Sequence, residues 1–276
     1  MRGLGIHPIR TGTAAVKVPF MTRHGGPVAS RLRIFTSKAF TPPFPILSWL
    51  IEHDEGDILI DAGMSESCLA PDYLRSLGRV DAWVATHLCR FDMAPGDGLG
   101  PQLRRIRPRG TDGLRVAMTH LHLDHIGGLS DLPGVPVLVN RAEWQRPFGA
   151  PKPLLAAMTP DCFEFKATDT VPGFDAWYPL TREGDLFAIP APGHTKNHCA
   201  IVLKRAGVTV LFAGDAVYDQ GQLSRLEIAG AHVSARLALD TMQRMHRFIQ
   251  AEPTVVLPSH DADAERRLNA AETFRH

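Results

Sequence analysis

The stretch Thr119-His120-Leu121-His122-Leu123-Asp124-His125 constrains the fold of this chain more than any other segment. Four side chains able to bind a metal ion fall within six residues, directly after the apolar run Leu114–Met118. Three further candidates sit in similar settings. His194 follows Ala191-Pro192-Gly193, Asp215 follows Leu211-Phe212-Ala213-Gly214, and His260 follows Val255-Val256-Leu257-Pro258-Ser259. Each closes a short strand-like run beside Gly, Pro or Ser. Strand side chains repeat on one face every two residues, so His120 and His122 can reach the same ion. Asp124 and His125 come after the chain turns into a helix and can serve a second ion.

Imidazole and carboxylate ligands suit zinc, and also iron, cobalt or manganese. His194 would complete a three-histidine set with His120 and His122. His260 would join Asp124 and His125, and Asp215, with two carboxylate oxygens, could bridge the two sets. Seven ligands suffice for two divalent ions and a bridging water. A lone histidine is more often structural or superficial, and that reading governs His7, His24, His53, His87, His232, His246 and His276. His198 is expected inside a strand, in a structural or supporting role.

Bulk properties narrow the class. The 276 residues, 44% hydrophobic, can bury a substantial core. Lys and Arg total 30 against 29 Asp and Glu, a net charge of +1 that gives no reason to expect nucleic acid or an acidic membrane as the main partner. The patch Arg104-Arg105-Ile106-Arg107-Pro108-Arg109 reads as a solvated loop. Cys68, Cys89, Cys162 and Cys199 are scattered, which disfavours a disulfide framework and suits a reducing compartment. The amino terminus shows no apolar signal-peptide core, and no run approaches the ~20 apolar residues of a membrane span. A cytoplasmic protein is expected.

Short apolar or β-branched runs predict strands over Ala14–Val18, Ile46–Glu52, Asp57–Ile60, Leu114–Thr119, Val135–Val139, Asp185–Ile189, His198–Lys204, Val208–Ala213 and Thr254–Leu257. Turns are expected at His53–Gly56 and Arg205–Gly207. Helices are expected over Glu66–Leu77, Asp124–Leu129, Arg141–Arg146 with Asn140 as N-cap, and roughly His232–Gln250. In the last, Ala238, Met242, Met245 and Ile249 recur at helical spacing and read as a core-facing stripe. Pro19–Pro45 and Phe91–Arg109 read as long irregular segments of the kind that form lids or binding loops. The first carries Phe20, Met21, Phe40 and Phe44, an apolar set for a pocket or an oligomer contact.

The motif, with Gly127-Gly128, Gly193-His194-Thr195, Gly214-Asp215 and Ser259-His260 in order, resembles the metallo-β-lactamase-fold hydrolases. Leu59-Ile60-Asp61-Ala62-Gly63 is similar to that superfamily's early Asp-x-Gly turn, whose Asp supports a metal-bound histidine from behind. The likeness runs from about residue 46 to about residue 262. It implies an α/β (α+β) chain folded as an αβ/βα four-layer sandwich, a single domain over 1–276 with an amino-terminal extension or lid around 19–45, and a site at the edge where the sheets meet.

Within that resemblance, His122 disfavours the redox members, which carry Glu there. Asp215 disfavours true β-lactamases, which lack the bridging Asp, and no basic exosite points to RNA. Tyr218, three residues after Asp215, resembles the N-acyl homoserine lactonase branch, as do the 44–52 segment and the extension before it. Glyoxalase II-like thioesterases, or another ester or lactone hydrolase of the fold, are the alternative, although the chain leaves little room after His260 for their glutathione-binding helices. The resemblance thus implies a dinuclear hydrolase that opens N-acyl homoserine lactones and so quenches quorum signals. Asp124 would ligate metal and relay a proton, and Tyr218 would donate a hydrogen bond to the substrate. Phe20, Met21, Phe40, Phe44, Trp144 and Phe148 are the candidates to hold the acyl chain. A homodimer through Pro19–Pro45 is a further expectation from the family.

Overall fold

The computed structural model describes residues 5–205 and 207–275. The first four residues, Ala206 of the 205–207 turn and His276 lie outside the described residues.

Two mixed sheets face each other. The first comprises β1 (Ile6–Val16), β2 (Phe44–Ile51), β3 (Ile58–Ile60), β4 (Cys89–Asp92), β5 (Arg115–Ala117), β6 (Val137–Asn140) and β7 (Asp161–Phe163), in the order β4-β1-β2-β3-β5-β6-β7. The second comprises β8 (Lys166–Val171), β9 (Phe174–Pro179), β10 (Leu186–Pro190), β11 (Cys199–Arg205), β12 (Val208–Gly214) and β13 (Thr254–Pro258), in the order β13-β12-β11-β10-β9-β8. β3, β5, β6 and β7 run parallel, as do β12 and β13, and the other neighbouring strands pair antiparallel. Functional loops of open parallel sheets gather beyond the carboxyl ends of the strands. Here Asp61 follows β3, the histidine motif follows β5, Asp215 follows β12 and His260 follows β13.

Alternation along the strands explains the layering. Leu47, Trp49 and Ile51 of β2 point between the sheets, with Ile58 and Ile60, onto Ile201, Leu203, Val210 and Phe212 of the second sheet. Trp49 and Phe212 meet at 5.7 Å between ring centroids. Leu50, Leu59, Val116 and Met118 face the opposite way and pack against Leu99 and Leu103 of the helix Leu99–Ile106. On the far side of the second sheet, Val202, Leu211 and Val256 are covered by Met242, Met245, Phe248 and Ile249 of the helix Ala235–Ala251. The methionine stripe is therefore a core face. The result is the αβ/βα four-layer sandwich.

Several elements depart from the sequence expectation for local physical reasons. β1 begins at Ile6, well before Ala14, and its register with β2 shifts between Arg10 and Thr13, which breaks the period of two. β4, β7, β8 and β9 carry short or polar patterns that did not mark them as strands. Pro71 splits the expected 66–77 helix into a 3-10 turn, Glu66–Leu69, and the helix Pro71–Ser76. The supposedly irregular segments contain the helices Pro27–Thr36 and Leu99–Ile106. Asn140 does cap its helix, accepting from the Ala142 amide at 3.1 Å.

The arginine patch is not a solvated loop. Arg107 is buried and its Nε donates to Asp57 Oδ2 at 2.7 Å. The guanidinium also donates to the carbonyls of Gly110 and Asp112, and Arg109 joins the same Asp57 oxygen. Asp57 opens β3, so the pair anchors the strand that leads to Asp61. Removing one partner of a buried pair leaves the other charge desolvated, at a cost of about 3–5 kcal/mol. Asp57→Ala is expected to lower the unfolding free energy by that amount in urea titrations; a loss below ~1 kcal/mol would show that the pair is not a structural anchor.

Candidate metal centre

The site is assembled around a buried carboxylate that lies outside the candidate ligand groups. Asp61 leaves β3 with φ 54°, a left-handed conformation that Asp tolerates better than most residues. Its Oδ1 accepts the Thr119 amide and its Oδ2 accepts the Thr119 hydroxyl, both at 2.8 Å. Oδ2 also takes Nδ1–H of His125 at 2.8 Å. The Thr119 oxygen, having donated its proton, accepts Nδ1–H of His120 at 3.0 Å. His260 donates from Nδ1 to the Pro45 carbonyl at 2.9 Å. Three imidazoles are thus oriented through Nδ1, which turns the Nε2 edge of each toward the site.

Glycines permit the close approach. A Cβ on Gly63 would lie 2.2 Å from Thr11 Oγ1, and one on Gly128 would lie 2.1 Å from the Ala62 carbonyl. The Gly128 amide instead reaches the Gly63 carbonyl at 3.0 Å, and the Ala62 amide reaches the His125 carbonyl at 2.7 Å. These bonds lock the 61–64 turn against the helix Leu123–Ile126.

The seven candidate ligands converge. His120, His122 and His194 form one group of ligand atoms, and Asp124, His125 and His260 form another, the atoms of each lying within 4.8 Å of one another. His194 Nε2 and His122 Nδ1 are 2.8 Å apart. Asp215 stands between the groups. Its Oδ1 lies 3.2 Å from His125 Nε2 and 3.3 Å from His260 Nε2, while its Oδ2 lies 3.4 Å from His194 Nε2. The ring nitrogens His120 Nε2 and His125 Nε2 and the oxygen Asp215 Oδ1 are buried with no hydrogen-bond partner among the described residues. Stranded polar atoms of this kind are costly, and divalent cations held by the two groups would satisfy all three. The donor set of imidazoles and carboxylates fits such an ion.

Electrostatics separate the histidines. Burial drives His120 and His194 well below the usual imidazole range. Burial also pulls on His125, but Asp215 and Asp61 outweigh it and hold that ring well above the usual value. Asp215 raises His260 in the same way. Burial alone would raise Asp215, but His260, His125 and His194 bring it well below the carboxylate range.

Supporting residues surround the seven candidates, and of these Glu143 and His232 carried no signal in the sequence. His198 sits in the loop before β11 rather than inside a strand, and its Nε2 accepts the Asp215 amide at 3.1 Å. Burial pushes its pKa down to about 3, so it stays a neutral acceptor. A Cβ on Gly214 would sit 2.7 Å from that nitrogen, so the glycine before Asp215 was the available signal. Glu143 is buried, its pKa raised to about 7 by desolvation, and accepts the Thr195 hydroxyl at 2.8 Å, steadying the loop that carries His194. His232, which reads as an ordinary lone histidine, is buried with its ring 5.7 Å from His194 and neither ring nitrogen has a hydrogen bond among the described residues.

Of the apolar candidates, Phe44 reaches the site, edge-on to His260 at 4.9 Å and stacked on Tyr218 at 6.5 Å. Tyr218 is buried, its hydroxyl 3.5 Å from His194 Nδ1. Phe20 and Met21 offer backbone carbonyls to the Ala231 amide and the Gln222 amide group, and the Gln222 carbonyl accepts the Tyr218 amide at 2.9 Å. Phe148 is exposed, but the adjacent Gly149 backbone runs against His122. Phe40 instead carries Lys17 and Arg90 over its ring, and Trp144 packs into the core outside the first sheet.

Residues 92–260 match the metallo-beta-lactamase superfamily. An N-acyl homoserine lactonase of Bacillus sp. is 27% identical over 80% of this chain and 83% of its own length. Among solved structures, an N-acyl homoserine lactone hydrolase with N-hexanoyl-L-homoserine at its catalytic metal centre superposes with a TM-score of 0.74 at 20% identity, covering 95% of this chain and 94% of that one. AidC, a dizinc quorum-quenching lactonase, gives 0.63 at 15% identity, covering 94% and 89%.

A carboxylate behind a ligating histidine typically contributes 10–100-fold to metal affinity. Asp61→Asn is expected to weaken zinc binding by about that factor in competition with a fluorescent chelator, and unchanged affinity would contradict the support role. Ligation requires His125 and His260 to give up their protons. Both rings are raised, so wild-type affinity is expected to fall as pH drops from about 8 to about 6.

Proposed function

Because this chain belongs to the metallo-beta-lactamase superfamily, we propose that it is a dinuclear metal-dependent hydrolase that opens the lactone ring of N-acyl homoserine lactones. The observation that carries this reading is the Asp215 carboxylate, whose two oxygens face two separate ligand groups beside the buried Tyr218 hydroxyl. The likeness to N-acyl homoserine lactonases supports the choice of substrate. On this reading the substrate is a diffusible quorum signal, and ring opening silences it.

His120, His122 and His194 would hold one ion, Asp124, His125 and His260 the other, and Asp215 both. Zinc suits this donor set, and iron, cobalt or manganese can occupy it. When bound, the ions supply Lewis acidity and a water made acidic enough to attack at neutral pH. The protein supplies the rest. Burial, then Asp215 and Asp124, raise the Tyr218 phenol well above its usual value, so it remains a donor at neutral pH. That hydroxyl hydrogen-bonds the substrate oxygen on which charge develops. Asp124 is only partly buried and its Oδ2 lies 3.5 Å from His260 Nε2, at the site's edge, where it would take the proton released by the attacking water and pass it to the departing alkoxide. Burial lowers His232 to about 4, so it is a neutral ring that can offer an N–H to the substrate amide. Phe44, with its ring against Tyr218 and His260, would contact the acyl chain.

A pH-stat panel of acyl homoserine lactones, glutathione thioesters, β-lactams and phosphodiesters tests the substrate class, with lactones expected to be fastest. Preferred thioester turnover would replace lactonase by the glyoxalase II-like activity. Chelation, or His122→Ala combined with His260→Ala, is expected to abolish hydrolysis, and full turnover by metal-free protein would end the proposal. Tyr218→Phe is expected to lower kcat/KM roughly tenfold or more, the ~1.4 kcal/mol of one lost donor. An unchanged rate would make Tyr218 a packing residue.

A further inference from the structure

The net charge of +1 conceals a strong segregation. Residues 1–51 contain seven Lys and Arg and no Asp or Glu, the first acidic residue being Glu52. Within this segment the helix Pro27–Thr36 buries Ser30 and Ile34 and turns Val28, Leu32 and Phe35 to solvent, at 81%, 61% and 58% exposure. Those positions are spaced four and three apart, so they form one stripe on one helical face. Arg31 and Arg33 flank the stripe and are exposed.

A second helix extends the same surface. Arg79–His87 exposes Val80, Trp83 and Val84, and Trp83 stacks on Phe35 at 6.0 Å between ring centroids. These six side chains account for all but Val18 and Phe148 of the large apolar residues exposed among the described ones. Scattered exposed apolar residues need no explanation, but a contiguous patch of aliphatic and aromatic groups edged by arginine marks a binding surface. Arg79 and Lys38 lie at its borders, also exposed.

We propose that the helices Pro27–Thr36 and Arg79–His87 form a docking surface for an anionic lipid bilayer, on which the protein lies peripherally. Interfacial helices combine such an apolar stripe with flanking basic residues, the apolar groups entering the headgroup boundary and the basic groups pairing with lipid charge. Charge selects this occupant over a second copy of the chain. A two-fold contact through the same patch would bring the basic rims of two copies together, with like charges to desolvate, whereas anionic headgroups complement Arg31, Arg33 and Arg79. Phe35 and Trp83 stack as an aromatic pair of the kind that settles at a membrane–water boundary. No described helix is long and apolar enough to cross a membrane, so the contact is superficial.

Co-sedimentation of the full-length protein with phosphatidylcholine vesicles, with and without phosphatidylglycerol, tests this. Binding to the phosphatidylglycerol vesicles is expected to exceed binding to phosphatidylcholine alone by at least about tenfold, and to weaken as salt is raised. Leu32→Glu with Phe35→Glu is expected to abolish binding with an unchanged circular dichroism spectrum and unchanged hydrolytic turnover. Arg31→Glu with Arg33→Glu is expected to reduce it more than about tenfold by the same electrostatics. The proposal is overturned if wild-type protein stays in the supernatant with both vesicles, or if the Leu32/Phe35 variant sediments as the wild type does. It is equally overturned if light scattering shows a dimer that the Leu32/Phe35 variant dissociates, which would assign the patch to a second copy.

Discussion

The site depends on the carboxylate of Asp61. Buried at the end of β3, it accepts the Thr119 amide, the Thr119 hydroxyl and the His125 ring. Through Thr119 it also orients His120. One acceptor-only group thus fixes the start of the histidine motif and the tautomers of two of its rings. It does so from a left-handed backbone conformation, which holds only because Gly63, Gly127 and Gly128 let neighbouring backbone segments close in. The Asp57–Arg107 pair at the other end of β3 secures the strand from which Asp61 emerges.

Concentrating histidines and carboxylates in a desolvated pocket has electrostatic consequences. Without a cation, Asp215 can balance only some of the rings. His125 and His260 are pushed up, while His120, His194 and His198 are pushed down by burial. Such divergent shifts among neighbours are characteristic of functional sites. They coincide with the stranded atoms His120 Nε2, His125 Nε2 and Asp215 Oδ1, in groups capable of holding a metal ion.

The amino-terminal segment gives the fold its second functional character. Its backbone from Phe20 to Arg23 bonds to Gln222, Ile228 and Ala231, elements that continue from Tyr218 toward His232. Gly230 permits this approach, since a Cβ there would lie 1.9 Å from the Pro19 carbonyl. Beyond these contacts the same basic segment turns an apolar helical stripe outward. One stretch of chain therefore both borders the reactive site and presents the most exposed apolar surface described.

Much of the site was legible in the sequence because the chemistry-bearing residues close strand-like runs. Period-two and period-3.6 patterns are local properties, so His120, His122, Asp124, His125, His194, Asp215, His260 and the core stripe of Ala235–Ala251 were open to inspection, and the motifs in their order carried the family resemblance that implied the four-layer sandwich. Tertiary structure decided what depends on distant partners. Arg107 reads as a solvated cation until Asp57, fifty residues earlier, is placed beside it. His232 reads as an ordinary histidine, and His198 as a supporting one with no named partner, until the pairing of β11 with β12 and the loop after Tyr218 bring them to His194 and Asp215. The first part of β1 was hidden by its register shift, and the outward stripe of Pro27–Thr36 carries meaning only once it is known which helix face the core leaves uncovered. Residue type and spacing determine which groups can act together, whereas burial and contact, set by chains far apart in sequence, determine which of them do.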